Sequence, residues 1–186
     1  MEQPYKALIQ DCIAQKPRAQ RELYERFAPK MLGVCARYAR DLEQAEDMLQ
    51  EGFIKVFQKL RDYQDRGSLE GWIRRIVVNT AIDCIRRDKH FREQAEIREA
   101  AGSEIPPEAL DQLGAAYLME QIRKLPEGYR LVFNLYALEG FSHAEIAERL
   151  QITESTSRSQ YARARAWLQY QIRGAYQETH TYRDAI

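Results

Sequence analysis

Three sets of polar side chains in this 186-residue chain have the types and spacings that recognise other macromolecules. Arg158, Ser159, Gln160 and Arg163 fall within the first two turns of one helical segment. Arg and Gln are side chains that pair bidentately with guanine and adenine edges, and Thr156 and Arg165 are placed for phosphates beside them. Further upstream, Arg75, Asn79, Asp83, Arg86 and Arg87 recur at helical spacing, and Asn79 with the Arg86-Arg87 pair suits base edges and phosphates. The polar loop before them holds Tyr63, Gln64 and Arg66, a composition able to hold an unstacked base. Asp83 and Arg87 are also spaced for an i,i+4 ion pair on a solvated face, worth roughly a few tenths of a kcal/mol. The third set, Asp47, Gln50, Glu51, Ile54 and Gln58, lies opposite an apolar helix face. Ile54, apolar among acids and amides, is the residue a protein partner would grip.

None of these sets is catalytic. His90, His143 and His180 are isolated, and no carboxylate pair, nucleophile elbow or glycine-rich phosphate loop is present, which excludes the common enzyme constellations. The 28 basic and 28 acidic residues balance, so this is no polybasic protein, but their distribution is uneven. Residues 1–92 carry 18 Lys/Arg against 14 Asp/Glu, residues 93–120 carry 1 against 7, and residues 121–186 carry 9 against 7. Two mildly basic blocks flanking an acidic one suit two nucleic-acid-facing modules joined by a segment kept off the phosphate backbone. Cys12, Cys35 and Cys84 are odd in number and lack zinc-ligand or CxxC spacing, so they read as reduced core thiols. With no apolar run of transmembrane length and no basic-then-apolar leader, the expected location is the cytoplasm.

The elements that must position these residues are helices, because apolar residues recur at three and four and no stretch alternates strictly. Leu23, Phe27, Met31, Val34 and Tyr38 form one stripe, with Pro29 expected to kink or break it. Ala45, Met48, Leu49, Phe53, Val56, Phe57 and Leu60 form the core face of a helix over 42–60. Ser68 is the expected N-cap of a long helix running to about Lys89, with Leu69, Trp72, Ile73, Ile76, Val77, Thr80 and Cys84 buried. Scattered acids, Gly102 and the Pro106-Pro107 pair place a flexible acidic linker at 93–113. A second domain over 114–176 begins with a helix to Lys124 and another starting at Pro126 and ending at Gly140. Ser142 and Glu145 form a capping-box pattern. The connection Gln151-Ile152-Thr153 then leads to a last helix from Glu154 to about Ile172, with a frayed tail at 177–186. Ile146, Leu150 and Ile152 plug the angle between two helices that cross at Ala147, a helix-turn-helix. The fold class is all-α, with two small helical domains.

These segments resemble the two domains of bacterial sigma factors of the extracytoplasmic-function group. AEDMLQEGFIKVFQKL is similar to the polymerase-clamp-binding helix of sigma region two, and GSLEGWIRRIVVNTAIDCIRR to its promoter-melting, minus-ten-reading segment. LPEGYRLVFNLYALEGFSHAEIAERL followed by ITESTSRSQYARAR resembles the minus-thirty-five-binding helix-turn-helix of region four. The resemblance implies a transcription initiation factor in which Asp47, Gln50, Glu51 and Ile54, with Gln58, face core RNA polymerase. Tyr63, Arg66, Arg75, Asn79, Arg86 and Arg87 would then meet minus-ten DNA. Thr156, Arg158, Ser159, Gln160, Arg163 and Arg165 would meet minus-thirty-five DNA. It further implies an anti-sigma factor, often membrane-bound in this group, and no metal, cofactor or small-molecule substrate. Two positions depart from the pattern: Gln151 stands where the turn usually has glycine, and Ser157 where an aliphatic residue is usual. The rival reading is a dimeric helix-turn-helix regulator with a ligand-sensing N-terminal domain, which predicts a palindromic site and no affinity for polymerase.

Overall fold

The computed structural model describes residues 5–94 and 113–183, with side chains over 5–88 and 117–172. The chain divides into two compact units, Met1–Ile105 and Pro106–Ile186. Most of the expected flexible acidic connection, 93–113, lies outside the described residues.

The first unit contains α1 (Lys6–Ile13), α2 (Pro17–Cys35), α3 (Leu42–Lys59), a 3-10 turn at Leu60–Asp62, and α4 (Leu69–Gln94). α2, α3 and α4 pack on one another, and α1 rests on α2. Leu23, Phe27 and Met31 of α2, Met48, Phe53 and Val56 of α3, and Ile73, Val77 and Ile82 of α4 are all buried. α1 has no counterpart among the sequence-based expectations; it buries only Ile9 and Cys12, too short a stripe to stand out. α2 runs unbroken through Pro29, so the chain does not break there into two shorter helices. Burial of Leu23, Phe27, Met31 and Val34, at about 1.5–3 kcal/mol each, outweighs the roughly 3 kcal/mol penalty of one internal proline. α3 has the buried stripe expected of it except at Phe57, which is half-buried, and Asp41 caps it by accepting from Gln44 N at 2.8 Å. On α4 the expected Leu69, Ile73, Val77 and Thr80 are buried, whereas Trp72, Ile76 and Cys84 are only half-buried, and Val78, Ala81 and Ile82 are buried beyond the expected stripe because α4 packs on both α2 and α3. Ser68 caps its start, Oγ accepting from Gly71 N at 3.1 Å.

The second unit contains α5 (Leu113–Lys124), α6 (Glu127–Phe133), a π-helical turn (Asn134–Leu138), α7 (His143–Leu150) and α8 (Glu154–Arg183). Ile122, Leu125, Ala164 and Leu168 form its core, flanked by Leu118, Met119, Tyr129, Phe133 and Trp167. The expected single helix from Pro126 to Gly140 instead widens into the π-turn, after which Gly140 takes φ +76° and Phe141 N reaches back to Leu135 O at 3.0 Å. α8 extends to Arg183, past the predicted end near Ile172 and into the expected tail, whose residues 184–186 lie outside the described ones. A single Gly174 is too weak a break among Ala175, Gln177 and Glu178 to stop it.

Candidate functional site

On α3, Asp47, Gln50 and Gln58 are exposed and Ile54 is 56% exposed. They stand opposite the buried Met48, Phe53 and Val56, so the packing that fixes α3 in the core aims this face outward. Glu51 behaves differently. It is half-buried and turned toward α4, where Arg87 Nη1 donates to Glu51 Oε1 at 3.2 Å and Nη2 to Oε2 at 2.5 Å. Lys55 lies 3.2 Å from Glu51 and 3.3 Å from Asp83. The predicted Asp83–Arg87 pair is therefore replaced by two cross-helix pairs, because α3 brings opposite charges to both residues. The Arg87 guanidinium holds the Glu51 carboxyl at about 2, against the desolvation that would raise it. Burial, with Glu51 beside it, pushes the Cys84 thiol up to about 11, which makes it a poor nucleophile. Glu51, Cys84 and Arg87, with Arg40, Asp47 and Asp88, line an open groove of about 540 Å³ between the two helices.

Along α4, Arg75 and Arg86 are exposed and Asn79 is half-buried. In the preceding loop, the Tyr63 hydroxyl lies 2.8 Å from Gly67 O and 3.0 Å from Asp65 Oδ1, and its ring meets Trp72 edge-on at 5.4 Å. Asp65 takes φ +56° to make this turn. Trp72, expected in the core from its stripe, is only half-buried and serves as the wall on which Tyr63 fastens the loop. Gln64 and Arg66 are left exposed at the loop's tip.

The helix-turn-helix forms as expected. Ser142 Oγ accepts from Glu145 N at 3.2 Å and Ser142 N donates to Glu145 Oε2 at 2.9 Å, a reciprocal capping box at the start of α7. Gln151 adopts the left-handed conformation at φ 54°, ψ 44°, and Ile152 N closes the turn on Ala147 O at 3.1 Å. Thr153 caps α8, its Oγ1 accepting from Thr156 N at 3.1 Å. The unusual Ser157 is fully buried, with Oγ 2.9 Å from His143 Nδ1. His143 stacks on Tyr136 at 4.3 Å, and Tyr161 joins the same group of rings. His143 is thus not isolated, as its place in the sequence suggests; the serine at a helix-packing position fourteen residues on is the signal that it has a partner.

Of the residues expected on the outer side of α8, Arg158 and Ser159 are exposed near its start, with Arg158 paired to Glu154 and Ser159 Oγ donating to Thr156 O at 3.0 Å. Arg165 is exposed and Thr156 half-buried. Gln160 and Arg163 rest against α6. Gln160 covers Gly128, where a Cβ would lie 3.3 Å from Gln160 Nε2, and Arg163 Nη1 donates to the Tyr129 hydroxyl at 3.2 Å. No helix among the described residues is long and apolar enough to cross a membrane.

A capped helix-turn-helix thus stands in one all-helical unit, and a helix with an exposed Ile54 in the other. Residues 23–91 match the family model of Sigma-70 region 2, and residues 115–168 that of Sigma-70, region 4. The chain is 31% identical over 153 residues to the RNA polymerase sigma-H factor of Pseudomonas aeruginosa, covering 75% of this chain and 79% of that one. It is 34% identical over 152 residues to the ECF RNA polymerase sigma factor SigE of Mycolicibacterium smegmatis, covering 79% of this chain and 59% of that one. The sigma factor RpoE of Bartonella quintana, solved in complex with the anti-sigma factor NepR, shares the fold with a TM-score of 0.52 at 20% identity, covering 82% of this chain and 96% of that one. The chain belongs to the sigma-70 family of transcription initiation factors, which direct RNA polymerase to promoters and are not enzymes. The dimeric-regulator reading is not favoured, since it leaves the match over residues 23–91 without an account.

Proposed function

We propose that residues 1–92 dock on core RNA polymerase through Asp47, Gln50, Ile54 and Gln58 of α3, with Glu51 at the edge of that face. In the same module Tyr63, Arg66, Arg75, Asn79, Arg86 and Arg87 meet the minus-ten element, and the loop before α4 captures an unstacked base to nucleate melting. Residues 114–176 read the minus-thirty-five element through Thr156, Arg158, Ser159, Gln160, Arg163 and Arg165. The observation that carries this reading is Ile54, a large apolar side chain held in solvent by a helix whose opposite face is fully packed. The protein acts in the cytoplasm.

The same reading includes an anti-sigma factor that covers these faces until a signal removes it, its membrane attachment left to that partner. The acidic stretch 93–113, whose only large apolar residues are Ile97, Ile105, Leu110 and Leu113, supports this, because it supplies little that would lock the two modules together. The relative from Bartonella quintana is described in complex with such a factor.

The test is run-off transcription with core RNA polymerase, with and without the protein, on a promoter library. New protein-dependent start sites are expected, and they are lost with Ile54→Asp. Absence of any polymerase binding by the unmodified protein would sink the proposal.

A further inference from the structure

Arg163, on α8, has its guanidinium held by another helix. Its Nη1 donates to the Tyr129 hydroxyl at 3.2 Å, and this acceptor raises its affinity for its proton. Tyr129 is well suited to hold it. The ring packs against the core formed by Ile122, Leu125, Ala164 and Leu168, so the hydroxyl is delivered to the rim of α8 from a fixed base. One residue earlier, Gly128 lies under Gln160, where a Cβ would come within 3.3 Å of Nε2. The first turn of α6 therefore supports two side chains of the α8 recognition set, at positions i and i+3.

We propose that Tyr129 is a positioning residue that aims the Arg163 guanidinium at a single base pair of the minus-thirty-five element. The inference rests on the reading of α8 as the helix that meets that element. An arginine side chain has many rotamers, and a free one must lose that freedom on binding. A guanidinium has several N–H donors and a bidentate contact with guanine uses only a pair of them, so donating one to Tyr129 leaves the base-reading edge available. The Tyr129 oxygen accepts without contacting DNA itself, and its anchored ring keeps the acceptor in place when DNA is absent. Arg158 is organised differently, by a pairing with Glu154 on its own helix.

The experiment uses the full chain with core polymerase on a promoter recovered by run-off transcription, carrying every single base-pair substitution in its minus-thirty-five element. Arg163→Ala is expected to abolish discrimination at one base pair. Tyr129→Phe, which removes only the hydroxyl, is expected to reduce discrimination at that same base pair about fivefold and leave the others unchanged. Its thermal midpoint should match that of the unmodified protein, and Tyr129→Phe should add nothing to Arg163→Ala. Loss of discrimination with Arg163→Ala but full discrimination with Tyr129→Phe would overturn the inference and spare the reading of α8. A uniform loss at every base pair with Tyr129→Phe would assign the hydroxyl a purely structural role and also overturn it. Indifference to Arg163→Ala would overturn both.

Discussion

Glu51 of α3 and Arg87 of α4, thirty-six positions apart, grip each other through both terminal guanidinium nitrogens and both carboxylate oxygens. The pair joins the helix proposed to face polymerase to the helix proposed to face the promoter. Glu51 titrates at about 2 in the fold, against 4.5 ordinarily, because Arg87 donates to its charged form. The folded value is the lower one, so the pair's contribution is complete above about pH 4.5 and is lost as pH falls toward 2. Arg87 is 61% exposed, so the pair is worth only about 0.5–1 kcal/mol. A double-mutant cycle with Glu51→Gln and Arg87→Met, followed by urea denaturation at pH 7 and pH 3, should give that coupling at the first pH and less at the second.

The pair also marks where reading the sequence stops. Helical phase puts both residues at the surface, where Arg87 is exposed and Glu51 half-buried, and most of the stripes expected of α3 and α4 are buried. What phase along one helix cannot give is the identity of the neighbouring helix's charges. It matches Arg87 with Asp83, four residues away, when its partner stands on α3. The helix-turn-helix is legible in far more detail, because its capping box, its turn and its helix starts are local. The contact that escapes there, His143 against Ser157, again lies between helices. α1 and the unbroken passage through Pro29 escape for the same reason, since packing decides both.

At the crossing of α3 and α4 the space for an added atom is tight. A Cβ on Gly52 would lie 3.1 Å from Val77 Cγ2 and 3.4 Å from Val77 Cα, and Val77 is itself fully buried. Gly52→Ala gains helix propensity of roughly 1 kcal/mol but must push two core helices apart at a cost of about 1–3 kcal/mol. A net loss of up to about 2 kcal/mol is expected in the first unit, read from the fluorescence of Trp72 in a Trp167→Phe background. Stabilisation by Gly52→Ala would show that the crossing is looser than the distances imply.

Ile54 should separate binding from folding. More than half of it is exposed, so Ile54→Asp removes little buried surface, and the thermal midpoint should shift by no more than the equivalent of about 0.5 kcal/mol. Affinity for core polymerase, measured by fluorescence anisotropy of labelled protein, should fall by at least tenfold if the side chain fills a pocket on its partner. Unchanged affinity would remove Ile54 from the docking face.

His143 gives the second unit a pH dependence. Burial, then the nearby Arg158, lowers its pKa below the ordinary 6.5, with Glu154 opposing. The folded state thus takes up a proton less readily than the unfolded chain, so stability is full above about pH 6.5 and declines as pH falls below it. Denaturation followed through Trp167 in a Trp72→Phe background should give a lower midpoint at pH 5.5 than at pH 7.5. His143→Phe keeps a ring to stack on Tyr136 and should flatten that difference.

Gln151 offers a gain in stability without a change in contacts. Its backbone is left-handed at φ 54°, a conformation that costs a side-chain-bearing residue about 1–2 kcal/mol, and its side chain is exposed. Gln151→Gly relieves that strain but gives the unfolded chain more freedom, a loss of about 0.5–1 kcal/mol. The difference predicts a second unit more stable by up to about 1 kcal/mol, with promoter recognition unaltered, because the turn already has the geometry that glycine favours. Gln151→Val should act in the opposite direction, since a β-branched side chain is the least tolerant of positive φ. Both variants can be followed through Trp167. If glycine brought no gain, the strain at Gln151 would have to be offset by its side chain rather than imposed by the turn.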